Sequence, residues 1–245
     1  MSHRIVFLDR ASLGARLRAP AFPHTWQDHA RSDASEVVAR LEDATIAVTN
    51  KVPIREASLA RLPALKMIAV AATGTDIVDL AACKARGIVV SNIRNYAVHT
   101  LPEHVFMLIL ALRRNLVAYR ADVEAGRWQK AGTFCLLDHP LHDLAGSTLG
   151  VIGLGALGAR VARLGQAFGM RVLGHDPQAP AGDGVQAASV AEILANGDVV
   201  SLHLPLTPST RNMIGTAELA TMKPTALLIN TARAGLVDES ALASS

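Results

Sequence analysis

The chain has 245 residues, half of them apolar and only 4% aromatic, with a formal net charge of +3. That length allows one large or two small domains with a sizeable core, and a composition rich in Ala, Val, Leu and Gly suits helices packed on parallel strands better than an aromatic β-sandwich. The scattered Lys and Arg give no dense basic face, which argues against nucleic acid as a partner.

The opening "MSHRIVFLDR" is too short and too charged for a signal peptide. Residues 4–8 ("RIVFL") predict a first strand, and 35–43 ("SEVVARLED") a helix capped by Ser32 or Asp33. "TIAVTN" (45–50) and "ALKMIAVAATG" (64–74) are β-capable, the second ending on Gly74. "DIVDLAACKARG" (76–87) predicts a helix closed by Gly87, and "IVVSN" (88–92) the next strand. Cys83 and Cys135 stand far apart and form no CxxC, so a reduced intracellular compartment is expected.

Residues 99–126 predict one long helix, with Thr100 before Pro102 and Glu103 as its start signal. Its apolar run "VFMLILAL" (105–112) is closed by Arg113 and Arg114, well short of the roughly 20 residues a membrane span needs. A soluble, cytoplasmic protein with no membrane partner is expected. A polar loop covers 127–147, with His139 and His142 solvated. The alternation then resumes: strand "TLGVIGLG", helix 156–168, strand "RVLGHD", helix 190–195, strand "DVVSLHLP", helix 216–221, strand "TALLIN". Strands alternating with helices imply parallel sheets, and the change of pattern places a boundary near residue 98.

Gly153, Gly155 and Gly158 form G-x-G-x-x-G after a strand and before a helix. In that context the glycines allow a tight turn, close approach of a pyrophosphate, and close helix–strand packing, while the helix N-terminus offers free N–H groups. The next strand ends at Asp176, eighteen residues after Gly158. A carboxylate there accepts from ribose hydroxyls and repels a 2′-phosphate, which favours NAD over NADP. His175 beside it adds no discrimination.

Four stretches together resemble the NAD-dependent D-2-hydroxyacid dehydrogenases: "AATGTDIVDLAACKARGIVVSN", "YAVHTLPEHVFMLILALRRN", "GSTLGVIGLGALGARVARLGQAFGMRVLGHDP" and "VVSLHLPLTPSTRNMIGTAELATMKPTALLINTARAGLVDESAL". The likeness runs from about residue 40 onward and is nearest the glycerate dehydrogenase/hydroxypyruvate reductase branch. It implies two Rossmann- or flavodoxin-like doubly wound parallel-sheet domains: a substrate domain over 1–98, and an NAD-binding domain over 99–245 that lacks its last strands. It also implies a homodimer built through the dinucleotide domains and the long helix near 100–126.

Carried over by position, the backbone of Ala72, Thr73 and Gly74 would hold a substrate carboxylate. Thr100, Ala156, Leu157, His203, Pro205, Thr210, Thr231 and Ala232 would join the three glycines and Asp176 around the cofactor. Arg233 matches the family's catalytic arginine and would also touch the cofactor. Its guanidinium suits the carboxylate and carbonyl oxygen of a 2-keto acid, and its charge suits the oxyanion formed as hydride arrives. Ala234 stands where the family usually has Gly. The family's proton-donating histidine and its glutamate would fall past Ser245. His104 is expected to pack in its helix, and no other histidine fits the role. The resemblance thus implies a C-terminally truncated chain with turnover at least about a hundredfold reduced, and "TALLIN" left as an exposed edge. A non-catalytic NAD-binding module like a redox-responsive corepressor is the alternative, and no metal is implied.

Overall fold

The computed structural model describes residues 2–244 and divides into two compact units between Tyr96 and Ala97.

The first unit holds a five-stranded parallel sheet: β1 (His3–Phe7), β2 (His24–Asp28), β3 (Ile46–Thr49), β4 (Met67–Val70) and β5 (Val89–Asn92), in the order β2-β1-β3-β4-β5. This is the flavodoxin-type order, with its switch point between β1 and β3. Helices α1 (Val37–Leu41), α2 (Glu56–Leu59) and α3 (Leu80–Ala85) connect the strands. Val6, Leu8, Leu41, Ile54, Leu59 and Ile68 form the centre of its core.

Of the two expected caps, Asp33 closes the capping box with Glu36 and starts a 3-10 turn ahead of α1. One expectation changes here. The helix expected from residue 76 begins only at Leu80, because Val78 bridges to Ile54 and the Asp79 carboxylate caps the Ala82 N–H. Strand β2 was not expected: four of its five residues are exposed, so it carries no alternating apolar signal and pairs with β1 alone.

The second unit opens with α4 (Thr100–Arg113), α5 (Leu116–Glu124) and α6 (Arg127–Lys130). The single helix expected over 99–126 is therefore broken. Asn115 takes a left-handed conformation (φ 48°) and resets the axis, while Arg114 ends α4. There follow β6 (Thr148–Ile152), α7 (Ala156–Ala167), β7 (Arg171–His175), β8 (Val185–Ala187), α8 (Val190–Asn196), β9 (Val199–Leu202), α9 (Thr216–Thr221), β10 (Leu227–Asn230) and α10 (Glu239–Leu242). The parallel sheet runs β10-β9-β6-β7-β8, the dinucleotide-type order with its switch point between β6 and β9.

All five residues of β6 and all four of β9 are buried, as central strands covered on both faces must be. One face packs Val105, Phe106 and Ile109 of α4 and Val161 of α7 against Leu149, Val151 and Val199. The other packs Ile193 and Leu194 of α8 against Ile152, Leu173 and Val200. Among the described residues, no helix is long and apolar enough to cross a membrane.

Candidate active site

In the second unit, the carboxyl ends of β6, β7, β9 and β10 bring four sequence motifs to one edge of the sheet, where open α/β sheets bind ligands. After β6 the chain turns through Gly153 at φ +97°. A Cβ there would lie 2.6 Å from the His203 carbonyl oxygen, and one on Gly158 would lie 1.8 Å from the Gly153 carbonyl oxygen. Both glycines are thus required by the protein's own packing.

Gly155 differs. Its φ of −62° and ψ of −170° are open to any residue, and a Cβ would meet nothing within 4 Å. No internal contact accounts for a glycine at this position. Close approach of a ligand to the first turn of α7 would account for it. Gly155→Ala should therefore leave the melting temperature within about 2 °C while weakening NADH binding at least about tenfold. Gly158→Ala should destabilise the fold itself by about 1–3 kcal/mol. Calorimetry and NADH fluorescence separate the two effects.

Asp176 follows β7 and faces this turn. Its Oδ2 accepts from Leu154 N–H (2.7 Å), and its Oδ1 accepts from Gln178 N–H (2.8 Å) and Ala179 N–H (3.1 Å). These backbone donors, Gln178 first and Leu154 next, hold its carboxyl below the usual carboxylate range. A carboxylate has about four acceptor positions. Oδ2, with one donor, keeps room for a ribose hydroxyl. Ala156 is exposed and Leu157 half-buried on the first turn of α7.

Thr100 is the first residue of α4 and is exposed; His99 precedes it and takes the cap position. His99 Nδ1 lies 3.3 Å from Arg160 Nη1, so the start of α4 sits beside the second turn of α7. Arg160 was not singled out from the sequence. An arginine five residues after the second motif glycine is its only signal, and it adds positive charge beside the helix terminus.

After β9, His203 is partly buried, and burial pushes its pKa down to about 4. The Thr210 hydroxyl donates to the Pro205 carbonyl (2.7 Å) and accepts from Thr207 N–H (2.8 Å), so these two predicted residues close one loop.

After β10, Asn230 shapes the turn that carries Arg233. Its Oδ1 accepts from Ala232 N–H (3.1 Å), and its Nδ2 donates to the Arg233 carbonyl (2.9 Å). Asn230 was also missed, although an Asn at a strand end is a turn signal. Arg233 is exposed and donates from Nη1 to the Ala232 carbonyl (3.0 Å). The Thr231 hydroxyl is buried without a hydrogen-bond partner among the described residues. A ligand group at this turn would satisfy it. The open cradle at Gly155, the acceptor room on Asp176 and this orphaned hydroxyl all fit a dinucleotide.

In the first unit, Ala72, Thr73 and Gly74 follow β4. The Thr73 hydroxyl donates to the Ile93 carbonyl (2.9 Å), and Asn92 Nδ2 donates to the Thr73 carbonyl (2.7 Å). None of the three N–H groups donates to an acceptor among the described residues. Three adjacent unpaired donors suit an anion.

The other histidines correct two expectations. His104 is exposed rather than packed in its helix. His139 is not solvated: its Nε2 lies 2.8 Å from the Asp122 carboxylate, which Arg127 also grips at 2.7 Å. This pair sits beyond the end of α4, where His142 N–H donates to the Arg113 carbonyl and the chain enters the amino end of β6. Arg233 lies at the opposite, carboxyl end of the strands. His142 is exposed.

Residues 106–245 match the family model of the D-isomer specific 2-hydroxyacid dehydrogenase NAD binding domain. Glycerate dehydrogenase of Methylorubrum extorquens is 53% identical over 245 residues, covering 99% of this chain and 76% of that protein. Hydroxypyruvate reductase of Blautia hydrogenotrophica is 32% identical, covering 85% of this chain and 66% of that protein. Among solved structures, D-lactate dehydrogenase from Aquifex aeolicus, complexed with NAD and lactic acid, aligns with a TM-score of 0.80 at 31% identity. That alignment covers 97% of this chain and 72% of that one. The chain belongs to the D-isomer specific 2-hydroxyacid dehydrogenases, NAD-dependent oxidoreductases that act on small hydroxy acids.

Proposed function

We propose that the chain transfers hydride between NAD(H) and a small D-2-hydroxy acid of the glycerate/hydroxypyruvate or glyoxylate type. The observation that carries this reading is the Asn230-braced turn, which presents Arg233 at the same sheet edge as the glycine loop and Asp176. The names of the relatives, glycerate dehydrogenase and hydroxypyruvate reductase, support the substrate class. When bound, NADH would supply the hydride, and the oxygen left negative by it takes one proton, which water can give, to become the new hydroxyl. Arg233 would grip the substrate's carboxylate and carbonyl oxygen and stabilise the negative charge growing on that oxygen. We infer that the first unit is the substrate domain, because the unpaired N–H groups of Ala72, Thr73 and Gly74 within it suit a carboxylate.

The test is NADH oxidation with hydroxypyruvate and with glyoxylate. Turnover with either, giving D-glycerate from the former, is expected; intact NADH binding with turnover of another 2-keto acid such as pyruvate and of neither of these two would contradict the substrate class.

We also infer a cytoplasmic homodimer. Both cysteines are free thiols, which suits a reducing compartment. Phe106, Met107, Leu110, Leu116, Leu164 and Phe168 line an apolar groove on α4, α5 and α7, and nearby Val117 is 76% exposed. An apolar face of this kind marks an interface. Sedimentation should report two chains per particle, and Met107→Glu should shift it to one. A wild-type monomer at high micromolar concentration would contradict the inference.

A further inference from the structure

Ser201 is a polar residue at 0% exposure in the middle of the sheet, in β9. Its Oγ lies 2.9 Å from His203 Nε2, its one side-chain hydrogen bond among the described residues. A buried hydroxyl in a central strand costs stability unless it is bonded, so the pair needs an explanation.

Its position supplies one. His203 N–H donates to the Ile152 carbonyl (2.8 Å), which extends the β6–β9 pairing one residue past the strands, to the point where Gly153 begins the turn. The His203 carbonyl then lies against Gly153, and its Cβ would be 3.3 Å from a Cβ on Gly158. One residue from across the switch point thus contacts both glycines that shape the loop. Its ring Nδ1 has no protein partner among the described residues.

We propose that Ser201 and His203 are a positioning pair: by tying down the His203 imidazole, the Ser201 hydroxyl holds the His203 carbonyl and Cβ against the glycine turn, which keeps the turn in the shape that receives a dinucleotide pyrophosphate. This rests on the NAD-binding reading and deepens it. His203 serves as an uncharged wedge and is not the proton donor. Its burial keeps the ring neutral at ordinary pH, so no positive charge appears on it as the medium crosses neutrality. NADH affinity should accordingly carry no titration from this ring between pH 6 and 8.5.

The test measures NADH dissociation constants by fluorescence on the whole chain, with melting temperatures beside them. Ser201→Ala should raise the NADH Kd about five- to tenfold, the value of one ordinary hydrogen bond, with the melting temperature within about 3 °C of wild type. His203→Leu should weaken binding at least as much. His203→Gln, whose amide can reach Ser201 and cannot become an imidazolium, should restore the Kd to within about threefold. Wild-type affinity in Ser201→Ala would overturn the proposal, as would failure of the Gln variant to improve on Leu. If His203→Leu does not fold, nitrogen-15 histidine shifts of the wild type decide alongside Ser201→Ala. A His203 ring that titrates near 6.5 would overturn the proposal, and one neutral to about pH 4 supports it. No NADH binding by the wild type would instead overturn the cofactor reading beneath it, and the proposal with it.

Discussion

Replacing Arg233 by glutamine is expected to lower kcat/KM for the 2-keto acid by about 10²–10³-fold while the NADH Kd moves less than about threefold. A preorganised donor aimed at a developing oxyanion contributes about 2.7–4 kcal/mol, which sets the magnitude. Arg233 is exposed, and Asn230 braces its turn through the Ala232 N–H and the Arg233 carbonyl, so the fold should survive the change. Lysine keeps the charge but loses the two-pronged geometry that matches a carboxylate, so it should recover only part of the loss. Steady-state kinetics on the three proteins checks this. A Gln variant within tenfold of wild type would remove Arg233 from the chemistry. An equal loss in NADH affinity would make it a cofactor residue alone.

The second large effect is expected at Asp176. Asp176→Asn should reduce the preference for NADH over NADPH by about 10²-fold, because placing a phosphate beside a carboxylate costs several kcal/mol. The carboxylate is held ionised by the N–H groups of Gln178 and Leu154, so the repulsion operates at any pH above the carboxylate range. Asp176→Ala should do more. It strips the acceptor from three backbone N–H groups, one of them in the glycine loop, and should cost about 1–3 kcal/mol of stability as well as affinity. Titration with both nucleotides, paired with thermal melting, distinguishes charge from scaffold. Unchanged selectivity in the Asn variant would contradict the assignment.

The features legible in the sequence were those encoded locally. Gly153, Gly155 and Gly158 fall within six residues where a strand passes into a helix, and Asp176 is found by counting to the next strand end. Features that depend on distant partners were not legible. Strand β2 is exposed and defined only by pairing with β1, so no periodicity betrays it. The break at Asn115 lies between two helix-forming stretches, and the left-handed residue becomes visible only in the backbone. His139 reads as a loop residue until Asp122, seventeen positions earlier, is found against it. Arg160 and Asn230 escaped for a related reason: each acts on a neighbouring element, through His99 or the Arg233 turn, and not through a motif of its own.

The packing of His203 against two of the glycines is a further case. From sequence, "SLHLPLTPST" places it near the cofactor. Only the structure shows that its backbone is the wall against which Gly153 must turn, and that its imidazole is tied to a fully buried serine.

The most direct measurement of the central claim is a calorimetric titration of the chain with NADH and, in parallel, with NADPH. The account predicts saturable binding of one NADH per chain in the micromolar range and NADPH at least about tenfold weaker, with the preference set by Asp176. Absence of NADH binding at high micromolar concentration, or tighter binding of NADPH, would contradict it.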